Sequence, residues 1–245
     1  MPRISFYSSV KPPNSKVLMC GLGGGLLVKK MLQQGYQVDV VELDPRMRNI
    51  ARNYFQLPNT ENLNIIIDDA RHYINKCKKK YDIVVFDMLV SESQPVHLYT
   101  ESSFKKVNQL LKKDGLFFNH YQSSLKNKGL KSIQSLGKTM KKAGLEPKLL
   151  NTQRKPENKG AERTFAAVRA NFSFDSTKIK NLPFNENFPV RENAFIDTIS
   201  YDKGLLLTDD VPIFEYLHHS TAIYNRQNNR SVTLGNIVSA KMDFY

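Results

Sequence analysis

Val17–Leu18–Met19–Cys20–Gly21–Leu22–Gly23–Gly24–Gly25 is an apolar run that stops on a glycine-rich turn, and Leu26–Gln34 after it has the apolar spacing of a helix. A strand that hands over to a helix through glycines lets the turn tighten and the backbone approach a ligand closely. A dinucleotide fingerprint would place its third glycine at position 26, where this chain has Leu26. The GxGxG spacing of Gly21, Gly23 and Gly25 therefore favours an adenosyl-sulfonium ligand, because no pyrophosphate has to sit on the helix N-terminus.

Outward from that turn, β-rich runs alternate with helical stretches as far as about residue 170. The spacing predicts strands at Lys16–Cys20, Gln37–Glu42, Leu63–Asp68, Ile83–Asp87 and Gly115–Tyr121. Helices are expected at Leu26–Gln34, Pro45–Phe55, Ala70–Lys78, Thr100–Lys112 and Gly129–Ala143. Glu146–Gln153 and Arg163–Ala170 bracket the polar segment Arg154–Glu162 and read as a hairpin, an antiparallel edge on a parallel sheet. Five βα units closed by a hairpin predict an α/β fold of the class I S-adenosylmethionine methyltransferase (Rossmann-like) type. Residues 1–170 are expected to form the donor-binding catalytic domain, with 171–245 as an extension packed on it. Within that extension Gly204–Thr208 reads as a further strand.

The acids at the predicted strand ends carry the chemistry. Glu42 closes the second strand about 20 residues past the glycines, where a carboxylate can accept both ribose hydroxyls. Asp44, before Pro45, suits the cap of the next helix. In Asp68–Asp69–Ala70–Arg71 one acid is placed for an adenine amine and the other for a helix cap; Asp69 is the choice for adenine. Asp87 ends the fourth strand at the carboxyl edge, where open α/β sheets bind ligands, and can deprotonate an attacking amine.

These blocks, with Tyr81–Asp82–Ile83–Val84–Val85–Phe86–Asp87 and Leu98–Tyr99–Thr100, occur in the order and at the spacing of spermidine synthases, which the chain resembles over roughly 16–125. Leu207–Thr208–Asp209–Asp210–Val211–Pro212–Ile213–Phe214–Glu215–Tyr216 resembles the tail of bacterial spermidine synthase-like proteins. The resemblance implies Glu42 for ribose, Asp69 for adenine and Asp87 as the acid–base position; Gly21, Gly23, Gly25 and Ala70 complete the expected donor-binding residues. Glu92, Tyr99, Asp209 and Asp210 are secondary candidates for the acceptor. Spermidine synthases carry an aspartate where this chain has Gly24, and that acid contacts the amine of the decarboxylated donor. They carry a second one where it has Val90, and an N-terminal β domain not represented ahead of Lys16.

Three readings follow. The first is aminopropyl transfer from decarboxylated S-adenosylmethionine to a small-molecule amine. The second is methyl transfer from S-adenosylmethionine to a small amine or RNA. The third is nucleoside binding without catalysis. The net charge of +13 disfavours a polycationic acceptor. Nucleic acid is the less favoured partner, since the lysines cluster at predicted helix ends and loops without interleaved aromatics. A homodimer is compatible with the pattern. Cys20 and Cys77 are too few for a disulfide framework or a cysteine metal site. His72, His97, His120, His218 and His219 lack ligand-like spacing, so structural or surface roles are expected and no metal. No apolar stretch has the length of a membrane span and no signal-peptide core opens the chain, so the cytoplasm is the expected address.

Overall fold

The computed structural model describes residues 11–88, 95–123, 125, 127–151, 161–169, 199–211 and 213–217. Seven strands form one sheet: β1 (Lys16–Cys20), β2 (Gln37–Glu42), β3 (Leu63–Ile67), β4 (Tyr81–Phe86), β5 (Leu111–Ser123), β6 (Leu145–Asn151) and β7 (Ala161–Arg169), in the order β3-β2-β1-β4-β5-β7-β6. The helices are α1 (Leu26–Gln33), α2 (Pro45–Phe55), α3 (Ala70–Lys76), α4 (Glu101–Leu110) and α5 (Asn127–Lys142), with a 3-10 turn at Val96–Leu98. The strands β1 to β5 pair in parallel, and the strand order reverses between β1 and β4. This is the predicted Rossmann-like class I arrangement.

Strand alternation divides the core in two. Leu18, Cys20, Val84, Phe86 and Phe117 face α3, α4 and α5, while Val17, Met19, Ile83, Val85 and Phe118 face α1 and α2. The middle strand β4 is buried along its whole length, as its unbroken apolar run Ile83–Phe86 requires. Asp44 caps α2 by accepting from the Arg46 amide, with Pro45 in the first turn, as the sequence predicts.

The hairpin closes the sheet as expected: β7 pairs antiparallel with both β5 and β6, and β6 forms the edge. One expectation changes. The strand expected at Gly204–Thr208 is not one. Its amides are taken by hydroxyls on α5: Leu205 N–H donates to Ser135 Oγ at 2.9 Å and Leu207 N–H to Thr139 Oγ1 at 3.0 Å. A β-like run of residues is thereby held against a helix and never reaches the sheet. Gly204 is needed there, because a Cβ would collide with the Gln134 carbonyl. Beyond it, Phe214 stacks on Tyr99 with ring centroids 5.0 Å apart and lies 5.8 Å from Tyr121, so this stretch is built into the core.

Candidate functional site

The carboxyl ends of β1, β2, β3 and β4 meet on one edge. Gly21, Gly23 and Gly25 have φ of +98°, +52° and +71°, the left-handed region that glycine enters without strain. Gly21 is also fixed by contact: its N–H donates to the Val41 carbonyl at 2.8 Å, and a Cβ on it would lie 2.5 Å from the Asp87 carbonyl oxygen. The glycine turn and the end of β4 therefore touch through main chain. The Asp87 N–H completes that contact by donating to the Cys20 carbonyl at 3.0 Å.

Glu42 is held by two amides. Oε2 accepts from Leu22 N–H inside the glycine turn at 2.9 Å, and Oε1 from Asp44 N–H at 3.0 Å. A carboxylate has about four lone-pair sites, so each oxygen keeps capacity for a further donor. That is the geometry needed to receive a pair of vicinal hydroxyls, and it fits an adenosyl ligand. Leu43, next to it, is 66% exposed and offers an apolar surface that sequence reasoning overlooked.

Asp68 and Asp69 divide their work differently from the simplest expectation. Asp69, selected for adenine, is itself the cap of α3: Oδ1 accepts from His72 N–H at 2.9 Å, and Oδ2 lies 3.1 Å from His97 Nε2. Partial burial pushes its carboxyl up, but the His72 amide and the His97 ring outweigh it and hold the group below the usual carboxylate range. Asp68 accepts from the Asp69 amide and pairs with the His72 ring. Ala70 is buried as the first residue of α3, so what it presents outward is main chain.

Asp87 has a partner that sequence reasoning missed. Nδ1 of His120 lies 2.9 Å from Asp87 Oδ1, and the His120 side chain is only 5% exposed. Of the structural or surface roles expected for His120, that burial leaves the surface one aside. The signal was register: Phe86 pairs with Asn119, so one step on brings Asp87 level with His120 on the same side of the sheet.

The secondary candidates separate. Tyr99 is fully buried, packed edge-on to Phe86 and stacked on Phe214, and burial holds its phenol far above its ordinary range. It is a core residue. Asp209 accepts from Thr100 Oγ1 at 2.8 Å, from Ser102 Oγ, and from Arg71 Nη2 at 3.2 Å, while Arg71 also donates to the His97 carbonyl. It clasps the tail to α3 and α4. Asp210 is exposed. Glu92, with Val90, His218 and His219, lies outside the described residues. At Gly24 a Cβ would sit 3.2 Å from the Phe55 ring, so an aromatic side chain covers the place where spermidine synthases carry an acid.

Among the described residues, no three His, Cys, Asp or Glu side chains are grouped to hold a metal, and no helix is long and apolar enough to cross a membrane.

Comparison with known proteins places these features in a family context. The profile described as Spermine/spermidine synthase domain matches residues 6–156. An N-terminal histidine N-methyltransferase of Emericella nidulans is 33% identical over 116 residues, covering 45% of this chain and 20% of that protein. A polyamine aminopropyltransferase of Vibrio vulnificus is 33% identical over 110 residues, covering 43% of this chain and 37% of the relative. The chain thus spans well under half the length of these two relatives. The crystal structure of spermidine synthase from Thermotoga maritima superposes with a TM-score of 0.55 at 20% identity, covering 76% of this chain and 68% of that one, which is a likeness of fold.

Proposed function

The chain belongs to the spermine/spermidine synthase domain family, and from that premise we propose that it is a transferase acting in the cytoplasm, alone or as a homodimer. Its donor is S-adenosylmethionine or the decarboxylated form, and an aminopropyl group passes to a small amine. The observation that carries this reading is the placement of two differently held carboxylates, Glu42 and Asp87, either side of the Gly21 turn.

In this reading Glu42 accepts from both ribose hydroxyls while the Leu22 and Asp44 amides keep it aimed. Asp69 accepts from the adenine amine with a lone pair that its cap does not use, and Leu43 packs on the base. Asp87 takes a proton from the acceptor's ammonium. The neutral nitrogen attacks the carbon next to sulfur, a C–N bond forms, and the C–S bond breaks with its electron pair going to sulfur. Sulfur leaves as a neutral thioether. Most of the rate gain is positional, as expected when the donor is already activated by its charge.

A second reading, methyl transfer on the same frame, is favoured by Gly24 and Phe55. With an aromatic ring over position 24 and no acid there, nothing at that point selects a donor amine over a donor carboxylate. Incubating the chain with each donor and a panel of monoamines and diamines, followed by mass spectrometry, separates these readings. Aminopropylated product supports the first and methylated product the second. Binding without transfer of either group leaves a nucleoside-binding protein and rejects both.

A further inference from the structure

We propose that His120 is a positioning residue for Asp87: its Nδ1–H holds one carboxylate oxygen and fixes the plane of the group that meets the acceptor nitrogen. The proposal deepens the reading above, on which it rests, by adding a residue to the proton-accepting end of the site.

The geometry is specific. An ionised carboxylate only accepts hydrogen bonds, so the 2.9 Å contact to Asp87 Oδ1 requires the proton on Nδ1, and a neutral ring then carries none on Nε2. Asp87 directly follows β4 and His120 lies within β5, adjacent parallel strands that cannot slide past each other without breaking the Val85–Phe118 and Phe86–Asn119 pairs. His72 and His97 also meet aspartates, yet their side chains are 52% and 49% exposed, where such pairs contribute little. The His120–Asp87 pair is different, with side chains 5% and 22% exposed. A carboxylate that is already immobilised has less rotational freedom to lose when the acceptor arrives, which appears in turnover and not in donor affinity.

The test uses the full chain and four variants: His120→Ala, His120→Asn, Asp87→Asn and the double variant His120→Ala/Asp87→Asn. The expected result is a kcat loss of about ten- to a hundredfold in His120→Ala, with the donor Kd by calorimetry unchanged. That unchanged Kd also shows the variant is folded. His120→Asn, whose amide N–H sits near the lost Nδ1–H, recovers most of the rate. The double variant is no slower than Asp87→Asn alone, because residues acting as one unit are not additive. Full turnover in His120→Ala overturns the proposal, as does a loss that His120→Asn does not recover or that adds to Asp87→Asn. If the wild-type chain transfers nothing from either donor, the proposed function fails, and ring-nitrogen NMR then judges the pair by itself. An Nδ1–H ring that changes on Asp87→Asn upholds it, and an Nε2–H ring or no change overturns it.

Discussion

His120 Nδ1 and Asp87 Oδ1 lie 2.9 Å apart although the residues are 33 positions apart in sequence. The contact exists because β4 and β5 are parallel neighbours whose register sets Phe86 against Asn119, one step before Asp87 and His120. It brings a buried ring to the carboxylate that follows β4 beside the glycine turn.

Asp87→Asn keeps the shape of the side chain and removes its ability to take a proton. Turnover is expected to fall on the order of a hundredfold or more, with donor affinity unchanged. Steady-state kinetics and calorimetry on the same preparation check this, and equal turnover in the two proteins would make Asp87 structural.

Glu42→Ala removes the proposed acceptor for two ribose hydroxyls and strands the Leu22 and Asp44 amides. Donor binding should weaken by roughly 3 kcal/mol, on the order of a hundredfold in Kd. Calorimetry with the folded variant reads it, and an unchanged Kd would remove Glu42 from the site.

Gly21→Ala meets two obstacles at once. Its φ of +98° disfavours any Cβ, and the new methyl would press on the Asp87 carbonyl oxygen. A loss of about 1–3 kcal/mol in stability is expected, together with reduced turnover as Asp87 is displaced. Denaturant unfolding decides it: a variant as stable as wild type would mean the turn relaxes freely.

The Asp209 clasp gives a pH signature. Burial pushes this carboxyl up, but Ser102, Thr100 and Arg71 together hold it below the ordinary range. A folded-state pKa below the unfolded one means stability that is present above about pH 4, the ordinary aspartate value, and lost as pH falls through the depressed one. The Tm difference between wild type and Asp209→Asn should therefore be largest near neutral pH and shrink in acid. A difference that does not vary with pH would show that the clasp works by shape and not by charge.

The first five strands and their helices were legible because β4 is buried along its length, α2 opens on Asp44–Pro45, and the glycine turn marks where β1 stops. The placement of Glu42 and Asp87 was legible for the same reason, since parallel strand ends point to one edge. What sequence could not supply was tertiary partnership. His120 joins Asp87 only through the register of two strands. Leu205 and Leu207 look β-like but spend their amides on Ser135 and Thr139 of α5. Asp209, read as a spare acid for substrate, is consumed by Arg71 from a distant helix. In each case the side chain's type was visible and its partner was not.

Titrating the full chain with S-adenosylmethionine and with its decarboxylated form is the most direct measurement. Saturable binding of at least one donor is predicted, weakened in Glu42→Ala. Any preference for the decarboxylated form should stay below about tenfold, ~1.4 kcal/mol, because Phe55 and Gly24 stand where an amine-reading acid would be. A larger preference would point to a spermidine-synthase donor site despite Gly24, and a folded chain that binds neither donor would contradict the adenosyl site itself.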